Sequence, residues 1–146
     1  MGTLELPQDG TIYIDAQIVI YTIDKHPIYA PLCRPLWDAA KSGKITVVSS
    51  ELILMETLVS PLREGNRQLA SDREALWQQE NTGLIPITMS ILRSAAQLRA
   101  TTSSVKTPDA IHAATALYYH CSLFLTNDAG FRRISNLTTT FLDDLR

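Results

Sequence analysis

Cysteine is scarce in this chain: Cys33 and Cys121 are the only two in 146 residues. Two cysteines make neither a disulfide framework nor a cysteine-rich zinc site, and both lie among apolar neighbours, as reduced buried thiols do. Long apolar runs are also missing. No stretch reaches the roughly 18 residues of a membrane span. The opening MGTLELPQDG has no basic start followed by an apolar stretch, so it does not read as a signal peptide. A soluble cytoplasmic protein without membrane association is the expectation. A basic excess is absent as well, since 13 Lys+Arg face 15 Asp+Glu for a formal net charge of −2. Proteins that coat nucleic acid non-specifically usually show the opposite imbalance. Either nucleic acid is not the partner, or the sum hides local concentrations of each sign.

What is present is globular composition, 45% hydrophobic and 19% charged. The length suits a single domain over residues 1–146, long enough for a core without staples. Apolar β-prone runs at 12–14, 45–48, 84–87 and 123–126 read as strands, with a weak fifth at 139–142. The proline in the third run suits an edge strand. Helices are expected from about 18 to 23, 31 to 41, 51 to 62, 67 to 81, 90 to 100 and 107 to 120, with a short one at 131–134. In the 51–62 helix, Leu52, Met55, Val59 and Leu62 form an apparent core stripe. Thr107-Pro108-Asp109 reads as a helix start with threonine as N-cap. Strands alternating with helices give an α/β class with a mainly parallel sheet.

Four acids occupy unusual places. Asp15 closes an apolar strand, where a charge is costly unless paired or coordinated. Asp128 follows the fourth strand by two residues. In open α/β sheets, ligands bind beyond the carboxyl ends of strands where strand order reverses. Glu56 lies beside the apolar face of its helix, and Asp109 opens an alanine-rich helix with few polar sides. Each has an ordinary reading too: strand-end turn or cap for Asp15, Asn-Asp turn for Asp128, edge-of-core acid for Glu56, dipole partner for Asp109. Together, several like charges at close range need protonation, a salt bridge or a metal. Carboxylate oxygens suit Mg²⁺ or Mn²⁺.

Four segments, IYIDAQIVIYTI at 12–23, SELILMETLVSPLREG at 50–65, KTPDAIHAATAL at 106–117 and FLTNDAGFRRI at 124–134, fall in order along the chain. In these the chain resembles the PIN-domain nucleases, and most closely the VapC-type toxin nucleases. The resemblance implies a three-layer α/β/α fold with a five-stranded parallel sheet in the order 3-2-1-4-5. It implies a metal-dependent endoribonuclease using Mg²⁺, with Mn²⁺ able to substitute. Asp15, Glu56, Asp109 and Asp128 match the family's acids and would bind metal and act in catalysis, and Thr126 matches its small hydroxyl residue and is a candidate for substrate contact. Ala16-Gln17 stand where similar proteins carry Thr or Ser and then Asn or Ser. A small antitoxin partner and a homodimer are further expectations.

Arg132 and Arg133, close after Asp128, and Arg63 are the candidates for gripping RNA phosphates. Tyr21, Tyr29 and Trp37 are candidates for base stacking, Trp37 more simply for the core. His112, one turn after Asp109, reads as a core or supporting residue. A catalytically silent PIN-like module binding RNA or protein is the alternative. A phospho-acceptor receiver domain needs a lysine after Lys106, and a haloacid-dehalogenase-like phosphatase needs an acid at Gln17; the chain has neither. Without its four singled-out acids the chain has 11 acids against 13 bases, so the small acidic excess does not argue against RNA.

Overall fold

The structure is a computed structural model that describes residues 2–146. Five parallel strands are present: β1 (Thr11–Ile14), β2 (Thr46–Ser50), β3 (Thr82–Ile85), β4 (Leu123–Thr126) and β5 (Thr139–Phe141). They lie in the order β3-β2-β1-β4-β5, the order that the family resemblance implies. Six helices connect them: α1 (Ala16–Ile23), α2 (Tyr29–Lys41), α3 (Leu52–Arg63), α4 (Arg67–Ala75), α5 (Met89–Thr101) and α6 (Thr107–Tyr118).

Side chains alternate across a strand, and here both faces are covered. Ile12 and Ile14, Val47, Leu123 and Leu125 point into one core with Ile18, Leu36 and Ile53. Tyr13, Val48 and Phe124 point into the other, with Ile91, Ala95 and the alanines of α6. That is why the strands read as unbroken apolar runs: a parallel sheet buried on both sides has no solvent face to mark with polar residues. The strand order reverses between β1 and β4, so the carboxyl ends of these two neighbours frame a crevice.

Three local expectations shift. The apolar stripe of α3 faces outward, with Met55 61%, Val59 43% and Leu62 59% exposed. The helix buries Ile53, Thr57 and Pro61 instead. A polar pair occupies that inner face: Thr57 donates to the Ile53 carbonyl, and its own carbonyl accepts from buried Arg73 of α4 at 2.9 Å. Satisfied polar groups are invisible to an apolar-periodicity argument. The third strand ends at Ile85, so Pro86, which lacks an N–H, falls just past the ladder of an edge strand. Helix α6 begins with Lys106 as its N-cap, and the Thr107 hydroxyl accepts from Arg99 at 2.9 Å rather than capping.

Arg73 is 6% exposed and forms a two-nitrogen contact with Asp24, at 2.6 and 3.3 Å, tying α4 to the end of α1. Removing the acid leaves a buried guanidinium half-paired. Asp24→Ala is expected to cost about 2 kcal/mol, below the range for fully buried pairs because Asp24 is partly exposed. The urea midpoint checks this, and an unchanged midpoint refutes it.

Candidate active site

The first acid is placed by the join of β1 and α1. Asp15 is 5% exposed and is the N-cap of α1, its Oδ1 accepting from the Ile18 N–H at 3.4 Å. Its Oδ2 accepts from the Thr126 hydroxyl at the end of β4. No basic side chain pairs with it among the described residues. Burial pushes its carboxyl up to about 6; the charge of Asp128 adds to this, and the Thr126 hydrogen bond and His112 oppose it.

Thr126 is fully buried. Its oxygen also accepts from the Asp128 N–H at 2.9 Å, so one hydroxyl bridges the two strand-end acids. Substrate contact, the role expected from sequence, does not fit a side chain sealed in this way. Its geometry instead sets the spacing of Asp15 and Asp128. The Asp128 Oδ1 accepts from the Gly130 N–H at 2.8 Å and caps the short helical turn Ala129–Arg133. A Cβ at Gly130 would lie 3.1 Å from that oxygen and 3.8 Å from Oδ2 of Asp109, so glycine lets the turn close over both acids.

Asp109 stands in the first turn of α6, and no hydrogen bond or ion pair reaches its carboxylate among the described residues. Its pKa is raised by partial burial first, then by the charges of Asp128 and Glu56. Glu56, on the second turn of α3, has its Oε1 2.5 Å from Nε2 of His112, which is itself buried. Nδ1 of the same ring meets the Tyr13 hydroxyl at 2.6 Å. His112 therefore has the supporting place expected of it. Tyr13 was not anticipated, although a tyrosine hydroxyl inside the apolar run Ile12-Tyr13-Ile14 must find a partner.

The fold brings all four acids to the carboxyl edge of the sheet, from four different elements. Among the described residues, however, no group of three or more His, Cys, Asp or Glu lies close enough to hold a metal ion. The reason is local. Three of the carboxylates are turned onto partners of their own, Thr126, His112 and the Gly130 N–H. The donor chemistry, carboxylate oxygens of which those of Asp15 and Asp109 are raised in pKa by burial first and by neighbouring acids second, fits a hard divalent cation.

The arginines differ. Arg132 is bound to Asp144 at 2.7 Å and lies over the Phe141 ring at 3.9 Å. Arg133 is exposed. Arg63 is exposed at the end of α3, seven residues past Glu56, hence on the same helix face about 10 Å further along. Tyr21 and Tyr29 stack with centroids 4.5 Å apart, and Tyr21 accepts from Asn127 between Thr126 and Asp128. Trp37 is half-buried and donates to Thr22. Cys33 is buried and Cys121 half-buried, and both are free, their thiols pushed up to about 12 and about 11 by burial. No helix among the described residues is long and apolar enough to cross a membrane.

The PIN domain family model matches residues 12–137. No curated protein matches the chain by sequence. Among solved structures, the chain is similar to VapBC2 from Rickettsia felis bound to a promoter DNA fragment, at 20% identity and a TM-score of 0.73, over 90% of this chain and 98% of that one. It is similar to a toxin-antitoxin complex from Klebsiella pneumoniae, at 21% identity and a TM-score of 0.66, over 90% and 97%. A third, a sarcin-ricin-loop-cleaving toxin from Mycobacterium tuberculosis, aligns at 14% identity and a TM-score of 0.64, over 77% and 86%.

Proposed function

The chain belongs to the PIN-domain family, and from that premise we propose that it is a metal-dependent endoribonuclease and the toxin of a toxin-antitoxin pair. The observation that supports this most is Asp15, a carboxylate 5% exposed at the switch point of the sheet, with no Lys or Arg paired to it among the described residues. Such a group is costly as protein architecture alone and makes sense as half of an ion site. Similar solved structures include a toxin-antitoxin complex and a sarcin-ricin-loop-cleaving toxin.

Asp15, Asp109, Asp128 and Glu56 would hold Mg²⁺, with Mn²⁺ able to substitute. When bound, such an ion polarises a phosphoryl oxygen and acidifies water. The protein supplies the rest. Thr126 spaces Asp15 from Asp128, and Gly130 lets the turn lie against Asp128 and Asp109. Glu56, partly exposed and hydrogen-bonded through one oxygen, is the carboxylate placed to take a proton from an attacking water. Arg133 and Arg63 offer exposed charge for flanking phosphates, and Arg132 would join them by leaving Asp144. A small antitoxin protein and a second copy of the chain are the proposed protein partners.

One observation favours the second reading, a silent RNA- or protein-binding module: the carboxylates do not converge into a three-ligand group. Mapping of new RNA ends separates the two. Total RNA incubated with the protein and Mn²⁺ is expected to show discrete 5′ ends that vanish with EDTA and with Asp128→Asn. Identical end maps for parent and variant exclude the nuclease reading.

A further inference from the structure

We propose that Tyr13 and His112 position Glu56: the tyrosine hydroxyl fixes the histidine in its Nε2–H form, and that N–H holds one oxygen of the Glu56 carboxylate. What Glu56 then does rests on the nuclease reading; the tautomer does not.

The polarity of the chain of hydrogen bonds follows from its buried end. Tyr13 is 0% exposed, stacked on Phe124 with centroids 5.0 Å apart. Its oxygen accepts from the Ser50 N–H at 3.0 Å. An amide N–H can only donate, so the tyrosine proton goes elsewhere; the Ser49 hydroxyl nearby is engaged with the Ile14 carbonyl at 2.7 Å, and Nδ1 of His112, at 2.6 Å, is the closest acceptor. That nitrogen therefore accepts. A neutral imidazole carries one proton, which is left on Nε2, 2.5 Å from Oε1 of Glu56. The opposite tautomer fails at both ends. It aims two donors at one tyrosine oxygen, strands the hydroxyl proton in a dry core, and sets a nitrogen lone pair against a carboxylate. Burial also raises the Tyr13 pKa, so the phenol keeps the proton it donates.

The relay has a structural consequence. It starts at Ser50 on β2, passes through Tyr13 on β1 and His112 on α6, and ends on α3. Because α6 also carries Asp109 one turn before His112, the position of Glu56 is tied to that of Asp109 rather than to the flexibility of a long side chain. His112 touches no substrate in this scheme and is a positioning residue.

The ring nitrogens of His112, read by ¹⁵N NMR on the metal-free protein at pH 8, are expected to show a single Nε2–H form. Tyr13→Phe is expected to shift them to a mixture. In RNA cleavage, His112→Leu is expected to lower kcat about 10- to 100-fold, as loss of a partner to a metal-binding carboxylate does, with KM changed by less than about 2-fold. His112→Gln, whose amide N–H reaches toward Glu56, is expected to recover most of kcat. A predominant Nδ1–H form in the parent overturns the proposal, as does a folded His112→Leu protein that cleaves like the parent. Should His112→Leu not fold, the spectra of the parent and Tyr13→Phe decide. A parent that cleaves no RNA refutes the nuclease reading and leaves the tautomer to the same spectra.

Discussion

Asp15→Asn is expected to lower RNA cleavage on the order of 100- to 1,000-fold and, at neutral pH, to raise the melting temperature of the metal-free protein. The two effects have one origin. Burial moves this carboxyl from its ordinary 3.8 up to about 6. Below pH 3.8 the folded and unfolded chains both hold the proton, and folding loses nothing. Between pH 3.8 and about 6 the unfolded chain releases it first, so stability falls as pH rises. Above pH 6 the whole penalty stands, about 3 kcal/mol from the size of the shift. Asparagine cannot ionise and escapes it. The gain is smaller than the penalty, because the Thr126 hydroxyl donates to Asp15 and already accepts from Asp128, and it must rearrange beside an amide. A rise of roughly 2–6 °C at pH 7.5 is expected, shrinking toward zero by pH 4. A variant that melts below the parent at pH 7.5 contradicts the stability half. One that cleaves at the parent rate contradicts the catalytic half.

Mn²⁺ at about 100 times its dissociation constant is expected to stabilise the protein by about 2.7 kcal/mol, a rise of roughly 5–10 °C. The rise should be large at pH 7.5 and small at pH 5. There Asp15 is mostly protonated, Asp109 is also raised in pKa, and a cation must displace those protons. Excess EDTA should return the melting curve to its starting point. Asp128→Asn should shift the midpoint of the Mn²⁺ titration to higher concentration. A melting curve indifferent to Mn²⁺ at pH 7.5 removes the ion site and favours the silent binding module.

The buried strands and the acids at their ends are legible because they obey simple rules, apolar runs for strands covered on both faces and charges where an apolar run stops, whereas the sheet order is implied only by the family resemblance. Asp15 and Asp128 stand out for that reason. What stays hidden is polar and buried. Thr57 and Arg73 sit on the inner face of α3 in place of the expected apolar stripe, each satisfied by hydrogen bonds: the Thr57 hydroxyl donates to the Ile53 carbonyl, and Arg73 donates to the Thr57 carbonyl and to Asp24. Thr126 looks like a residue facing substrate until its hydroxyl is seen bridging two acids. Tyr13 looks like any core aromatic, since only the fold brings its hydroxyl beside His112, 99 residues away. Helical spacing places Asp109 and His112 on one face, but not the partner that the histidine meets.

The pairing of β1 with β4 also has a kinetic meaning. Asp15 and Thr126 touch across 111 residues of sequence, and the strands beneath them pair Ile12 with Leu123. Contacts of such long range are the slow ones in folding, since a large loop must close before they form. A chain emerging from the ribosome carries Asp15 and Glu56 before Thr126 and Asp128 are made. The half-made polypeptide therefore holds isolated carboxylates and no assembled centre. If the centre cuts RNA, the ribosome that makes it is spared until β4 has been translated and has paired with β1.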